Sequence, residues 1–249
     1  MKPKSKMNTK PQAEINMVLA AGAPTPKLST DAIALDGALV SRGNGIGATS
    51  ETYIMDCIVG MKHYPDKYFD LAVVDPPYKE ETTGLSAGFN RKHFNYETLN
   101  TPPTVAYINE LFRVSKNQIM WGFNYYLELL PNTDACIIWN KHQNGHFSEA
   151  ELAWSSLGKT RIFDRAYQKD IGNKIHPTQK PVELYDWIFK NYSEPGQRIL
   201  DTHLGSGSSR ISAHKYGLNF TGFEIDEEYY YMQEGRFEKY QSQLNLFNK

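Results

Sequence analysis

From Glu51 onward, apolar residues come in short runs separated by polar turns, and the period of each run predicts its element. Tyr53 to Cys57 reads as a short strand, and Ile58 to Tyr64 as a helical stretch ended by Pro65-Asp66. Phe69 to Val74 is continuously apolar but for one Asp, the pattern of a strand buried on both faces. Val105, Ile108, Leu111 and Phe112 recur at helical spacing, and Ile119 to Gly122, Cys136 to Trp139 and Ile162-Phe163 read as further strands. A helix starts near Pro181 and turns Leu184, Trp187 and Ile188 inward. Ile199 to Asp201 is a strand end, followed by a glycine turn and a helix reaching Tyr216. Asn219 to Glu224 is the next strand, and the closing helix from Asp226 puts Tyr230, Phe237 and Tyr240 on one face. Strands alternating with helices predict an α/β fold with a largely parallel sheet flanked by helices.

Residues 1–50 read differently. Lys2, Lys4, Lys6 and Lys10 sit among polar residues, which predicts a mobile, weakly basic tail ahead of one domain over 51–249. The Met17 to Ala23 run is too short, and follows residues too polar, for a secretory signal. Gly43-Asn44-Gly45-Ile46-Gly47 follows no convincing strand and reads as a loop. Residues 79–103 are polar and irregular and predict a long surface loop.

Composition narrows the classes. Hydrophobic residues at 40% and aromatics at 13% can build a core, which excludes a wholly disordered chain. No apolar run is long enough to span a membrane. Two cysteines, Cys57 and Cys136, cannot frame a disulfide scaffold and fit a reducing compartment. The net charge of -1 argues against coating nucleic acid by bulk charge and leaves room for a local basic patch. The best one lies between Lys159 and Lys180, where six basic residues meet two acidic ones; residues 159–176 therefore face either phosphates or solvent. His142 and His146 are four apart, but Gly145 and the absence of a completing carboxylate or thiol argue against a metal site. Trp121, Trp139 and Trp154 are assigned to the core and Cys57 to a buried apolar position.

Two constellations carry chemistry. Asp201, at a strand end, leads into Gly205-Ser206-Gly207 and a helix, and Glu224 ends the next strand. A glycine turn lets backbone approach a nucleotide-like ligand, and a carboxylate there can accept both ribose hydroxyls. The combination suits NAD and S-adenosylmethionine equally, since both carry an adenosine, and Arg210 stands where the dinucleotide pattern has its third glycine. Asp75-Pro76-Pro77-Tyr78 is more specific. Two prolines stiffen the exit of a buried strand and aim the Asp carboxylate and the Pro76 carbonyl, two acceptors without a competing donor. A planar ring follows at once, a set suited to an exocyclic amino group.

Together with His176-Pro177-Thr178-Gln179-Lys180-Pro181 and Asp201 through Ser208, these four residues resemble an amino-group DNA methyltransferase of the β-class, with permuted motif order. The resemblance runs from Thr52 to Leu244; after Asp201 the family's Pro and Phe are Thr202 and His203 here. It implies a Rossmann-like methyltransferase fold and S-adenosylmethionine as methyl donor, released as S-adenosylhomocysteine, with no metal. Asp75 and Pro76 would hold the target amine, with Pro77 stiffening the turn and Tyr78 stacking on a base rotated out of double-stranded DNA. Asp201, Gly205, Ser206 and Gly207 would shape the cofactor turn, Glu224 would take its ribose and Asp56 its adenine amine. Thr178 and Lys180 would reach the methionine carboxylate, and His176 either joins them or satisfies loop backbone.

The Asp of the first motif favours adenine N6, with cytosine N4 as the alternative. A nicotinamide oxidoreductase would explain the glycine turn but not the other two motifs, and a catalytically silent DNA-binding subunit would keep all three. Arg91, Lys92, His93, Phe94 and Tyr96 suit a segment closing on the extruded nucleotide. No stretch is long enough for a large separate recognition domain, which implies a short target or recognition shared with a second subunit, as in a homodimer. A cytoplasmic, bacterial or phage-encoded enzyme fits this reading.

Overall fold

The computed structural model describes residues 40–44, 48–78, 102–143, 148–167 and 174–247, without the side chains of 40–44 and 245–247. The tail up to residue 39, Gly45 to Gly47, the Arg91 to Tyr96 cluster, His146 and Lys169 lie outside the described residues.

Nine strands form one sheet: β1 (Val40–Asn44), β2 (Thr49–Ile54), β3 (Phe69–Val74), β4 (Ser115–Trp121), β5 (Ala135–Asn140), β6 (Ala150–Ser155), β7 (Arg161–Asp164), β8 (Arg198–Asp201) and β9 (Asn219–Glu224). Among the described residues five α-helices accompany them: α1 (Cys57–Met61), α2 (Val105–Val114), α3 (Val182–Tyr192), α4 (Ser208–Lys215) and α5 (Glu227–Phe247). The order across the sheet is β1-β2-β9-β8-β3-β4-β6-β5-β7. The run from β2 to β4 is parallel throughout, β5 pairs β7 in parallel, and β1 and β6 run antiparallel to their neighbours.

Strand β3 explains the layering. Successive side chains point to opposite faces, so Leu71 and Val73 join one core with Leu184, Ile188 and Phe189 of α3, while Ala72 and Val74 join another with Ile108, Leu111 and Val114 of α2. Both faces are covered, which is why the strand is apolar at nearly every position. Trp121, Trp139 and Trp154 are all buried in these cores. Burial also pushes the Cys57 thiol up to about 12, an inert apolar position.

Two expectations change. The domain boundary at residue 50 falls inside the sheet, because β1 pairs with β2, Val40 opposite Tyr53. The strand expected over Tyr53 to Cys57 lies earlier, at Thr49–Ile54, because Ser50 and Thr52 are buried polar residues with partners. Arg210 Nε donates to Ser50 Oγ at 2.9 Å, and the Thr52 hydroxyl donates to Glu234 at 2.6 Å.

Candidate active site

Parallel strands end on one edge, and ligands of such sheets bind there. Ala72 pairs with Leu200, so Asp75 and Asp201 leave neighbouring strands on the same side; β9 adds Glu224 and β2 adds Asp56. The residues expected to hold a methyl acceptor and a methyl donor thus share one edge.

On the acceptor side, Asp75 follows β3 and is largely buried. Its Oδ2 accepts from the Lys180 ammonium, while its Oδ1 is buried with no hydrogen-bond partner. Such an unsatisfied acceptor is costly unless something supplies a donor. Burial pushes the Asp75 carboxyl up, against the pull of Lys180 and with an added push from Glu151. Tyr78 stacks on Tyr125 with centroids 4.3 Å apart and planes 6° from parallel. The turn beneath is set by Gly122 at φ +70°, where a Cβ would lie 2.3 Å from the Tyr78 ring. Trp121, fully buried beside this turn, leaves its indole Nε1 without a partner.

On the donor side, Gly205 (φ +49°) and Gly207 (φ +68°) both need left-handed backbone, and a Cβ on Gly207 would press on Gln233 at 3.0 Å. Glu224 ties the turn to β9: its carboxylate accepts from the backbone N–H of Gly205 at 2.7 Å and from those of Ile225 and Asp226, each at 3.0 Å. Burial pushes its carboxyl up against those three bonds. Asp201 accepts from the Ser209 hydroxyl at 2.5 Å and the His203 amide at 3.1 Å. Ser206 is buried and its hydroxyl meets that of Ser208 at 3.2 Å. Thr202, standing where the family pattern has Pro, is buried with its hydroxyl 2.7 Å from that of Tyr107 and 2.9 Å from His203 Nδ1. That polar pair occupies the place of two apolar residues without an orphaned group.

The segment from His176 to Pro181 connects the two sides. His176 packs edge-on against Tyr229, with centroids 4.4 Å apart, and its ring faces Gly205. Burial, helped by Lys180 and Lys174, pushes its pKa down to about 3, so the ring is neutral, with Nδ1 3.1 Å from the Thr178 hydroxyl. Thr178 itself is exposed.

Residues 92–234, more than half of the chain, match the family described as DNA methylase, of the N6/N4 type. The chain belongs to this family. M.HpaI, a type II methyltransferase of Haemophilus parainfluenzae, is 23% identical to this methylase over 237 residues, which cover 78% of this chain and 74% of its own. TTHA0409 of Thermus thermophilus, solved with S-adenosyl-L-methionine, superposes with a TM-score of 0.50 at 19% identity, over 75% of this chain and 94% of its own. The PvuII cytosine-N4-specific DNA methyltransferase gives 0.52 at 13% identity, over 82% and 95%. The two solved structures share the methylase's fold.

One expected position differs. Lys180 does not extend to the donor side; it is buried against Asp75 and Glu151, 3.2 Å from the latter. Asp56 caps α1, one oxygen accepting from the backbone N–H groups of Ile58 and Val59 at 2.8 and 3.1 Å, which leaves the other for a ligand. In the described part of the basic segment, Arg161, at the start of β7, lies over the Trp187 ring at 5.2 Å and Arg165 pairs with Glu183 at 3.2 Å, both on α3. Among the described residues no His, Cys, Asp or Glu group converges to hold a metal ion, and no helix is long and apolar enough to cross a membrane. Motif reading does not single out Glu151, Lys141, Trp121 or Tyr125 for the site; strand pairing brings in Glu151 and Trp121, Lys141 follows β5, and Tyr125 stands in the turn after β4.

Asp201 makes the methylase's stability depend on pH. Burial pushes its carboxyl up to about 7, despite its hydrogen bonds. The folded chain therefore keeps a proton that the unfolded chain releases near its ordinary value of about 4. Stability from this group is present at low pH and is lost as pH rises from there to about 7. Asp201→Asn removes the slope. Between pH 4 and pH 7 the variant is expected to gain on the wild type by a few kcal/mol, on the order of one per pH unit, in urea denaturation. Parallel curves for the two proteins would refute this.

Proposed function

We propose that this methylase transfers the methyl group of S-adenosylmethionine to the N6 amino group of an adenine rotated out of double-stranded DNA. The observation that carries the reading is Asp75 Oδ1, a buried acceptor without a partner beside a tyrosine ring. An exocyclic amine offers two hydrogens, and Asp75 Oδ1 and the Pro76 carbonyl accept both. Bonds to those hydrogens hold the nitrogen pyramidal, drawing its lone pair away from the ring and toward the methyl. Most of the rate then comes from positioning. Tyr78 stacks on the base, because the target atom is unreachable inside a duplex.

The cofactor supplies an electrophilic methyl carbon on sulfonium: the N–C bond forms as the C–S bond breaks, and S-adenosylhomocysteine leaves. The residues present fit such a group. Gly205 and Gly207 keep the turn open to close approach, Glu224 offers carboxylate lone pairs at a strand end, and Asp56 has an oxygen to spare. Asp75, pushed up by burial, is placed to take the proton lost by the methylated nitrogen. The substrate and donor put this work in a bacterial or phage-infected cytoplasm, with a short target sequence or one read together with a second subunit.

The test is a transfer assay with methyl-labelled S-adenosylmethionine and unmethylated DNA, followed by nucleoside mass spectrometry. Label on N6-methyladenine is expected. Label on N4-methylcytosine would keep the reaction and overturn the base assignment; unlabelled DNA would overturn the function.

A further inference from the structure

Behind Asp75 runs a chain of alternating charges. Lys141, at the end of β5, donates to Glu151 Oε1 at 3.2 Å; Glu151 Oε2 faces Lys180 Nζ at 3.2 Å; Lys180 holds Asp75 Oδ2. Two ammonium and two carboxylate groups balance, which is the condition for burying any of them. Burial would push Lys180 down, but the two carboxylates hold it up; burial would push Glu151 up, but the two lysines pull it below its ordinary value. Lys180 also lies over the Trp121 ring, 5.4 Å from its centroid. Glu151 belongs to β6, antiparallel to its neighbours, and reaches this edge because it pairs with Trp139 while Ala153 pairs with Trp121.

Resting on the methyl-transfer reading above, we propose that Glu151 is a positioning residue: by anchoring Lys180 it fixes the rotation of the Asp75 carboxylate, so that Oδ1 is left for the substrate amine. An ammonium held by one carboxylate alone is free to centre itself between both oxygens. With Glu151 on its far side and the Trp121 ring against it, Lys180 stays on Oδ2. Without Glu151 it slides across and covers the acceptor that the base needs.

Glu151→Gln keeps the shape and removes the charge. A misplaced acceptor costs on the order of 10- to 100-fold in kcat, while KM for S-adenosylmethionine is unchanged, because Glu224 and the glycine turn are untouched. A second readout separates positioning from structural damage. Asp75 is faced by Lys180 from the segment before α3, Glu151 from β6, Asp201 from β8, Tyr126 from the turn after β4 and Tyr185 from α3. Of these Glu151 adds an upward push on Asp75. Its neutralisation moves the acid limb of kcat to lower pH, whereas simple damage lowers kcat at every pH and leaves the limb in place. Lys141→Met, which strengthens the negative charge beside Lys180, moves the limb to higher pH and gives the same reading from the other side.

The experiment is the labelled-methyl assay across pH on wild type, Glu151→Gln and Lys141→Met. Reduced kcat with opposite limb shifts in the two variants is the expected result. Wild-type kcat in Glu151→Gln, or limbs unmoved in both variants, overturns the positioning role alone. No transfer by the wild type overturns the methylation reading, and this inference with it.

Discussion

Asp75→Asn is expected to lower methyl transfer by at least about 100-fold, the cost of losing one preorganised hydrogen-bonding group at a reacting centre, with affinity for S-adenosylmethionine unchanged. The substitution is nearly isosteric, yet the site gives the amide one orientation. Lys180 is a donor and takes the side-chain oxygen, so the NH₂ turns to the place now held by Oδ1. That presents a donor to an amine that needs an acceptor. Asp201, Gly205 and Glu224, the residues proposed to hold the donor, make their hydrogen bonds away from Asp75. Calorimetric titration of the cofactor beside the transfer assay checks both halves. Equal loss of binding and turnover would mean that Asp75 is structural.

Glu234→Ala is expected to destabilise the fold by about 3–5 kcal/mol, the cost of removing one carboxylate from a buried ion pair. Its partner is Arg210, fully buried on α4. The guanidinium donates to Glu234 at 2.6 Å, to Gln233 at 3.0 Å and to Ser50 at 2.9 Å, and lies 3.9 Å from the centre of the Phe237 ring. One side chain thereby joins α4, α5 and β2. Thr52 and the Gln233 amide also donate to the same Glu234 oxygen, so the variant removes the acceptor of three donors at once. The double variant Arg210→Met, Glu234→Leu removes both charges and is expected to recover part of the loss. Chemical denaturation of wild type, single and double variants measures this; a double variant no better than the single would show that packing, not charge, dominates.

Arg210 also shows what was legible in sequence and what was not. Its position marks the departure from a dinucleotide pattern, but nothing local says that a charge there is buried, because its partners come from residues 160 and 24 positions away. Strand β3 is readable because helices cover both faces and leave a nearly continuous apolar run, while β8 and β9 are marked by the short apolar stretches that lead to Asp201 and Glu224. Strand β6 was not: Glu151 and Ser155 interrupt its pattern, Glu151 meeting a lysine 29 positions further on and Ser155 bonding to the backbone of Leu157 just past the strand. The motif residues were readable because glycine, proline and aromatic residues at fixed spacing constrain the backbone locally. Lys180 meets Asp75 and Glu151 rather than the donor side expected of it, since sequence shows that a cation is near and not which anion it meets. Asp201 and Glu224 end their strands, and Asp75 and Asp56 follow theirs by one and two residues, positions close to what element boundaries alone suggest.

The order of the strands bears on how the chain is made. Asp70 meets Arg198 across 128 residues, and Thr49 meets Asn219 across 170. During synthesis, β2 and β3 leave the ribosome long before β8 and β9, the two strands that lie between them. Until those last strands emerge, each of the early ones carries an open parallel edge with apolar faces, the kind of surface that recruits other chains. A transcript cut short after β7 would therefore yield an aggregating fragment rather than a half-enzyme. The glycine turn and its carboxylate arrive with the same strands that close the sheet, so the nascent protein gains its fold and its donor half in one late step.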